Sequence, residues 1–322
     1  MGEWLNLALT LVFFGGIFWL AWRNRKSGRR SRPVADKPDQ PYSVFTDQFD
    51  IELRGTDLRT RLMGASGDSA RGRFEISKDH WQREVEAASA IYEAEQPSLA
   101  AAMNANTPSL AGSAVTILVD QSGSMKGEPM RYAAASARLL NEMLVAWGAK
   151  TEVLGFSTAG WQGGFARQKW IVAGRPKRPG RVCALLHIVY KSFAEPAFAT
   201  DSWEAMLDPN VLRENVDGEA IEWAAARLRA TGLEDQHLLI VSDGAPMDDA
   251  TAASNGLNYL TRHLQQVLEN LQADSGINIA SIEIGHEGLY PRESAFFAPD
   301  PTNVSQVMLG WGCNLTKSAE AK

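Results

Sequence analysis

Cysteine is nearly absent. Cys183 and Cys313 are the only two, far apart and in no C-x-x-C pair. That excludes a disulfide framework and a thiolate zinc site. Two free thiols in a reducing compartment is the simpler reading, and a single long-range disulfide is the alternative. No G-x-x-x-x-G-K-[ST] loop occurs, so no P-loop nucleotide site is expected. Histidine is scarce too. Of five, His263 falls within a helical pattern, His80 in a polar stretch, and His187 and His237 border apolar runs as structural residues do. Only His286, at a strand end, is a candidate for chemistry. No nucleophile constellation stands out, which argues against an enzyme. The body also lacks positive charge. The whole chain is −6, but residues 23–40 carry seven Lys/Arg against Asp36 and Asp39, and Glu3 precedes them, so residues 41–322 sum to −10. Nucleic acid is therefore not an expected partner.

Long apolar runs are missing but for one. Residues 4–22, WLNLALTLVFFGGIFWLAW, contain no charge. Nineteen residues at helical rise span about 28 Å, close to the hydrocarbon thickness of a bilayer. Trp4, Trp19 and Trp22 lie near its ends, where indoles favour the interface. A cleaved signal peptide fits less well, since no basic residue precedes the run and no A-x-A site follows. The spacing predicts one transmembrane helix over 4–22 that contacts membrane lipid. The basic stretch RNRKSGRRSR after it places the rest of the chain in the cytoplasm, at the inner membrane.

What is present reads as an α/β domain. After a tail (1–3) and the span come a basic juxtamembrane linker (23–42) and a mixed, partly helical lead-in (43–112). From 113 to 316 strands and helices alternate, and 317–322 is a tail. Strands are expected at 114–120, 151–157, 186–191, 237–243 and 277–285. Helices are expected at 128–148, 218–230, 257–271 and 304–315. That alternation predicts a mostly parallel open sheet covered by helices on both faces. Residues 157–216, with Trp161, Trp170 and Trp203, show no clear period and read as a long insertion.

Two of these strands end on aspartate: Asp120 in ILVDQSGSM and Asp243 in LLIVSDG. Asp217 opens a helix, and Ser122 and Ser124 follow Asp120. In a parallel sheet all five face the crevice beyond the strand carboxyl ends. Carboxylates with hydroxyls form a hard, all-oxygen donor set suited to Mg2+, with Mn2+ or Ca2+ as alternatives. Each residue alone has an ordinary explanation. Asp217 could cap a helix, Asp-Gly is a common turn, and the serines could cap the next helix. The order D-x-S-x-S, Asp, Asp-Gly is what makes a joint metal site the better reading.

DQSGSM resembles the metal-ion-dependent adhesion site of von Willebrand factor A-type domains, whose fold is Rossmann-like. The middle position of that class is generally Thr, where this chain has Asp217. GFSTAGWQGG, RPGRVCALLHIVYKS, LRENVDGEAIEWA, SDGAPMDDAT, NYLTRHLQQVLE and IGHEGLYPRES together look like the carboxyl-terminal region of the large A-type subunit of aerobic cobaltochelatase, over roughly 41–310. In that family an aspartate in a similar DGEA stretch takes the middle position. The resemblance implies a non-catalytic subunit that partners an AAA+ ATPase ring, with a separate large chelatase subunit, in cobalamin biosynthesis. The membrane anchor departs from the family and implies redeployment at the membrane. The alternative is an extracytoplasmic, metal-dependent adhesion or ligand-binding domain.

Overall fold

The computed structural model describes residues 34–64, 68–105, 109–274 and 276–320. The expected span at 4–22 lies outside them. Among the described residues no helix is long and apolar enough to cross a membrane.

In chain order the elements are β1 (Ile51–Arg54), α1 (Gly55–Gly64), α2 (Asp68–Ala105), β2 (Ser113–Asp120), α3 (Glu128–Ala146), β3 (Lys150–Thr158), α4 (Gly164–Val172), β4 (Leu185–Lys191), α5 (Thr200–Ala205), α6 (Asp217–Arg229), β5 (Asp235–Ser242), α7 (Asp249–Asn255), α8 (Tyr259–Ala273), β6 (Asn278–Ile284), β7 (Ala295–Ala298) and α9 (Val304–Glu320). The seven strands form one sheet in the order β1-β4-β3-β2-β5-β6-β7. Every pairing is parallel except β3 with β4.

The central strands are built around apolar stretches, ILV in β2, VLGF in β3 and LLIV in β5, as burial on both faces requires. Alternation then divides each strand between two layers. Val115, Ile117, Val119, Leu239 and Val241 pack against α2, α3 and α9. Ala114, Leu118, Leu154, Leu238 and Ile240 pack against α6 and α8. Strand order runs outward in both directions from β2, so the β2–β5 junction is the switch point, and the crevice above it is where such sheets place ligands.

β3 carries Gly155 where no side chain fits. A Cβ there would stand 2.3 Å from Gln121 Oε1 and 2.6 Å from Tyr190 Cε2. Gln121 follows Asp120 directly and is held by Tyr190, whose hydroxyl donates to Gln121 Oε1 at 2.7 Å. Gly155→Ala is therefore expected to destabilise the protein by about 1–3 kcal/mol, read as a lower urea midpoint with an unchanged slope.

Candidate metal centre

β2 ends on Asp120, which is fully buried. Asp120 Oδ1 accepts the Ser122 N–H at 2.8 Å, and Oδ2 accepts the Ser242 hydroxyl at 2.9 Å. The loop then bends sharply, and its Ser122 pairs as an isolated bridge with Arg213. Ser122 Oγ and Ser124 Oγ are 2.9 Å apart. Ser124 Oγ donates to Asp243 Oδ1 at 2.7 Å. Gly127, at φ 88°, makes the turn into α3, and Pro129 sits in that helix's first turn.

Asp217 is the first residue of α6 and not its cap, a position held by Val216. Its Oδ2 accepts from Asn215 Nδ2 at 2.9 Å. The same amide reaches Asp120 Oδ2 at 3.5 Å. Asp217 Oδ1 is buried with no hydrogen-bond partner. The five sequence candidates thus converge: Asp120, Ser122 and Ser124 from the first loop, Asp217 from the start of α6, and Asp243 from the end of β5. His286 is exposed, and its charge acts on Asp243. His187, by contrast, stacks on Trp223, and His237 lies 3.1 Å from Asp235.

Sequence reasoning missed three residues. Asn215 ties two of the aspartates together. Ser242 holds Asp120 from the neighbouring strand. Tyr290 brings a buried hydroxyl, also without a partner, within range of the charges of Asp217 and Asp120. Only Ser242, directly before Asp243, had a signal in the strand pattern.

The electrostatics are those of grouped acids that, among the described residues, form no ion pair with Lys or Arg. Burial, and then the charge of Asp243, push the Asp120 carboxyl up to about 7. Burial and the charge of Asp120 raise Asp217 well above the usual carboxylate range, and burial also raises Asp243. Like charges in a dry site favour the protonated form unless a cation joins them. The oxygen-only donors and the orphaned Asp217 Oδ1 fit a hard divalent ion. Among the described residues no group of three or more His, Cys, Asp or Glu is placed to hold an ion by itself. The serine hydroxyls and water must therefore complete such a shell.

Three solved structures share a distant likeness. The pilus adhesin SpaC of Lactobacillus rhamnosus GG is 11% identical with a TM-score of 0.43, over 66% of this chain and 31% of that one. The vWF domain of the type V pili tip protein Mfa5 of Porphyromonas gingivalis is 10% identical with a TM-score of 0.45, over 66% and 97%. The PilB minor pilin of Streptococcus sanguinis is 12% identical with a TM-score of 0.38, over 67% and 62%. The match to a family is of a different order, because the family described as the cobalamin biosynthesis protein CobT VWA domain covers residues 102–296, more than half of the sequence. By that match the chain belongs to the CobT VWA-domain family.

Proposed function

We infer that the chain is a non-catalytic, metal-binding VWA subunit of a chelatase-like complex in cobalamin biosynthesis. In this reading an AAA+ ATPase subunit is its direct partner and a large chelatase subunit carries the reaction. The span at 4–22 holds it at the inner membrane with the VWA domain in the cytoplasm. The observation that carries the reading is the convergence of three buried or half-buried carboxylates on two serine hydroxyls, with Asp217 Oδ1 unpartnered. Asp120 and Asp217 supply charge from the buried side, where Ser122 also lies, and Ser124 and Asp243 reach the open side. A divalent ion held there presents a Lewis-acidic position that a partner's Asp or Glu can complete. Asn215 and Ser242 keep the aspartates aimed, a supporting role that shells of this kind need.

The test is binding of the full chain to a purified AAA+ ATPase subunit of a cobaltochelatase, with Mg2+ and with EDTA. Mg2+ should strengthen binding and Asp120→Ala should abolish it with the fold intact. Undiminished binding by that variant would sink the reading. A reporter fused after Lys322 should be active only on the cytoplasmic side.

Proton competition gives a second check. A carboxyl raised to about 7 in the folded protein, against 3.8 as its ordinary value, holds a proton that the unfolded chain has released. Between those values the native state binds more protons than the unfolded state. Stability of the metal-free protein therefore falls as pH rises across that window. Mg2+ must displace the same proton, so its affinity should weaken by up to about tenfold per pH unit, for each proton displaced, below about pH 7. Isothermal titration from pH 8 to 6 reads this directly, and a flat profile would contradict it.

A further inference from the structure

Beside the metal centre lies a segment whose chemistry differs from the rest of the domain. Residues 159–181, between β3 and β4, hold Arg167, Lys169, Arg175, Lys177, Arg178 and Arg181 and no Asp or Glu, in a body that is otherwise strongly acidic. Three large apolar side chains stand in solvent here: Trp161 at 59% exposure, Phe165 at 62% and Val172 at 56%. Met247, at 43%, stands on the adjoining loop, which is tied through its backbone to Asn215. Apolar groups gathered this way mark an interaction surface more often than chance exposure does.

The segment is also held in a costly shape. The only non-glycine residues with positive φ among the described ones are Gln162 (54°), Arg175 (56°) and Arg178 (51°), all within it. Such residues persist where the surroundings over-determine them. Here the Gln162 N–H donates to Glu214 Oε2 at 2.6 Å, and Arg178 is fixed on Gln40 at 2.9 Å. Glu214 also accepts the Asp249 N–H at 2.9 Å, so one carboxyl fastens the segment to α7. Lys169, Arg178 and Arg181 already donate to Gln48, Gln40 and Asp50. Arg167, Arg175 and Lys177 make no ion pair among the described residues, and the last two are exposed.

We propose that residues 161–177 are a docking platform for an acidic segment of a partner protein, one that carries an aromatic or aliphatic side chain beside its carboxylates. The free cations select the acidic character, and Trp161, Phe165 and Met247 select the apolar residue. An anionic membrane would also suit tryptophan and cations. Position favours a protein: a Cβ on Gly123, inside the D-x-S-x-S loop, would stand 3.2 Å from Trp161 Cη2. An occupant of the platform therefore touches the metal-site loop as well. The proposal rests on the metal-site reading only for where one of those carboxylates ends.

The experiment uses the full chain in phosphatidylcholine nanodiscs and three labelled synthetic peptides of equal length. The first is Asp/Glu-rich with a central Phe-Asp pair, the second has that Phe replaced by Ser, and the third has its acids replaced by Lys. The first should bind at least tenfold more tightly than the others. Trp161→Ser with Phe165→Ser should weaken it at least tenfold, as should Arg175→Glu with Lys177→Glu, while the Mg2+-induced rise in melting temperature is unchanged. No binding of the first peptide, equal binding of the second, or full binding by both variants overturns the proposal. Displacement of the peptide by equimolar phosphatidylcholine–phosphatidylglycerol vesicles, with vesicle binding lost in the same variants, assigns the surface to lipid and also overturns it. Peptide binding that needs the platform but ignores EDTA and Asp120→Ala upholds the platform and shows that no peptide carboxylate ends on the metal, whereas absence of any Mg2+-induced rise in melting temperature in the native chain refutes the metal-site reading.

Discussion

Asp120→Asn is expected to remove the stabilisation by Mg2+ while leaving the metal-free protein at least as stable as the native chain. The two halves have one cause. Without a cation, Asp120 is a buried carboxyl among two others and is held near neutrality by its proton. Asparagine keeps the acceptor for the Ser122 N–H, and its amide can donate to Ser242 Oγ, since a hydroxyl turns either way. It also removes one of the like charges. With Mg2+ the sign reverses, because the ion loses an anionic partner. An ion at a hundred times its Kd stabilises a native state by about 2.7 kcal/mol, and the variant should lose that increment. Thermal melts with Mg2+ and with EDTA measure both halves. A variant that still rises with Mg2+ would remove Asp120 from the site.

The second large effect lies at Arg181, the cation that clamps the lead-in to the domain. Arg181 is 1% exposed. It donates twice to Asp50, from Nη1 at 2.9 Å and Nη2 at 2.6 Å, and pairs with Glu219 through Nε. Glu219 also accepts from Tyr42, whose ring stacks on His263 at 3.4 Å between centroids. Arg181→Met keeps an apolar stem but leaves two carboxylates without the cation between them. Breaking a buried pair by removing one partner costs about 3–5 kcal/mol. The partial exposure of Asp50 and Glu219 favours the lower end. A melting point lower by roughly 5–10 °C follows for a domain this size. Limited proteolysis should cut first between residues 34 and 54, and unchanged protection there would count against the clamp.

The sheet's centre was legible because its strands are apolar runs that admit no other use. Five expected strands appear as β2 to β6, and the four expected helices as α3, α6, α8 and α9, with ends shifted by a few residues. The reversal of β4 was not legible, since alternation reads the same in either direction. β1 and β7 have four residues each, IELR and AFFA, too few for a period to show; they are strands because long-range partners make them so. Residues 34–42, read as linker, lie on the domain instead, with Asp36 bonded to Asn258 and Arg262. α2 extends from 68 to 105, although helical spacing was clear only around 80–95. At the site, D-x-S-x-S and the two later aspartates had a pattern to follow. Asn215 and Tyr290 had none, because their roles come from chain crossings that no local spacing records.

β1 pairs in parallel with β4, Ile51 beside Leu186 and Arg54 beside Val189, and that register sets a timetable during synthesis. Ribosomes add about 5–20 residues per second. The edge strand therefore leaves the exit tunnel on the order of ten seconds before the strand that receives it. Through that interval Tyr42 and Asp50 have no Arg181 to meet, and the D-x-S-x-S loop after β2 is complete before Asp217 and Asp243 exist. The last piece of the sheet to close on that side is made before every other strand of it.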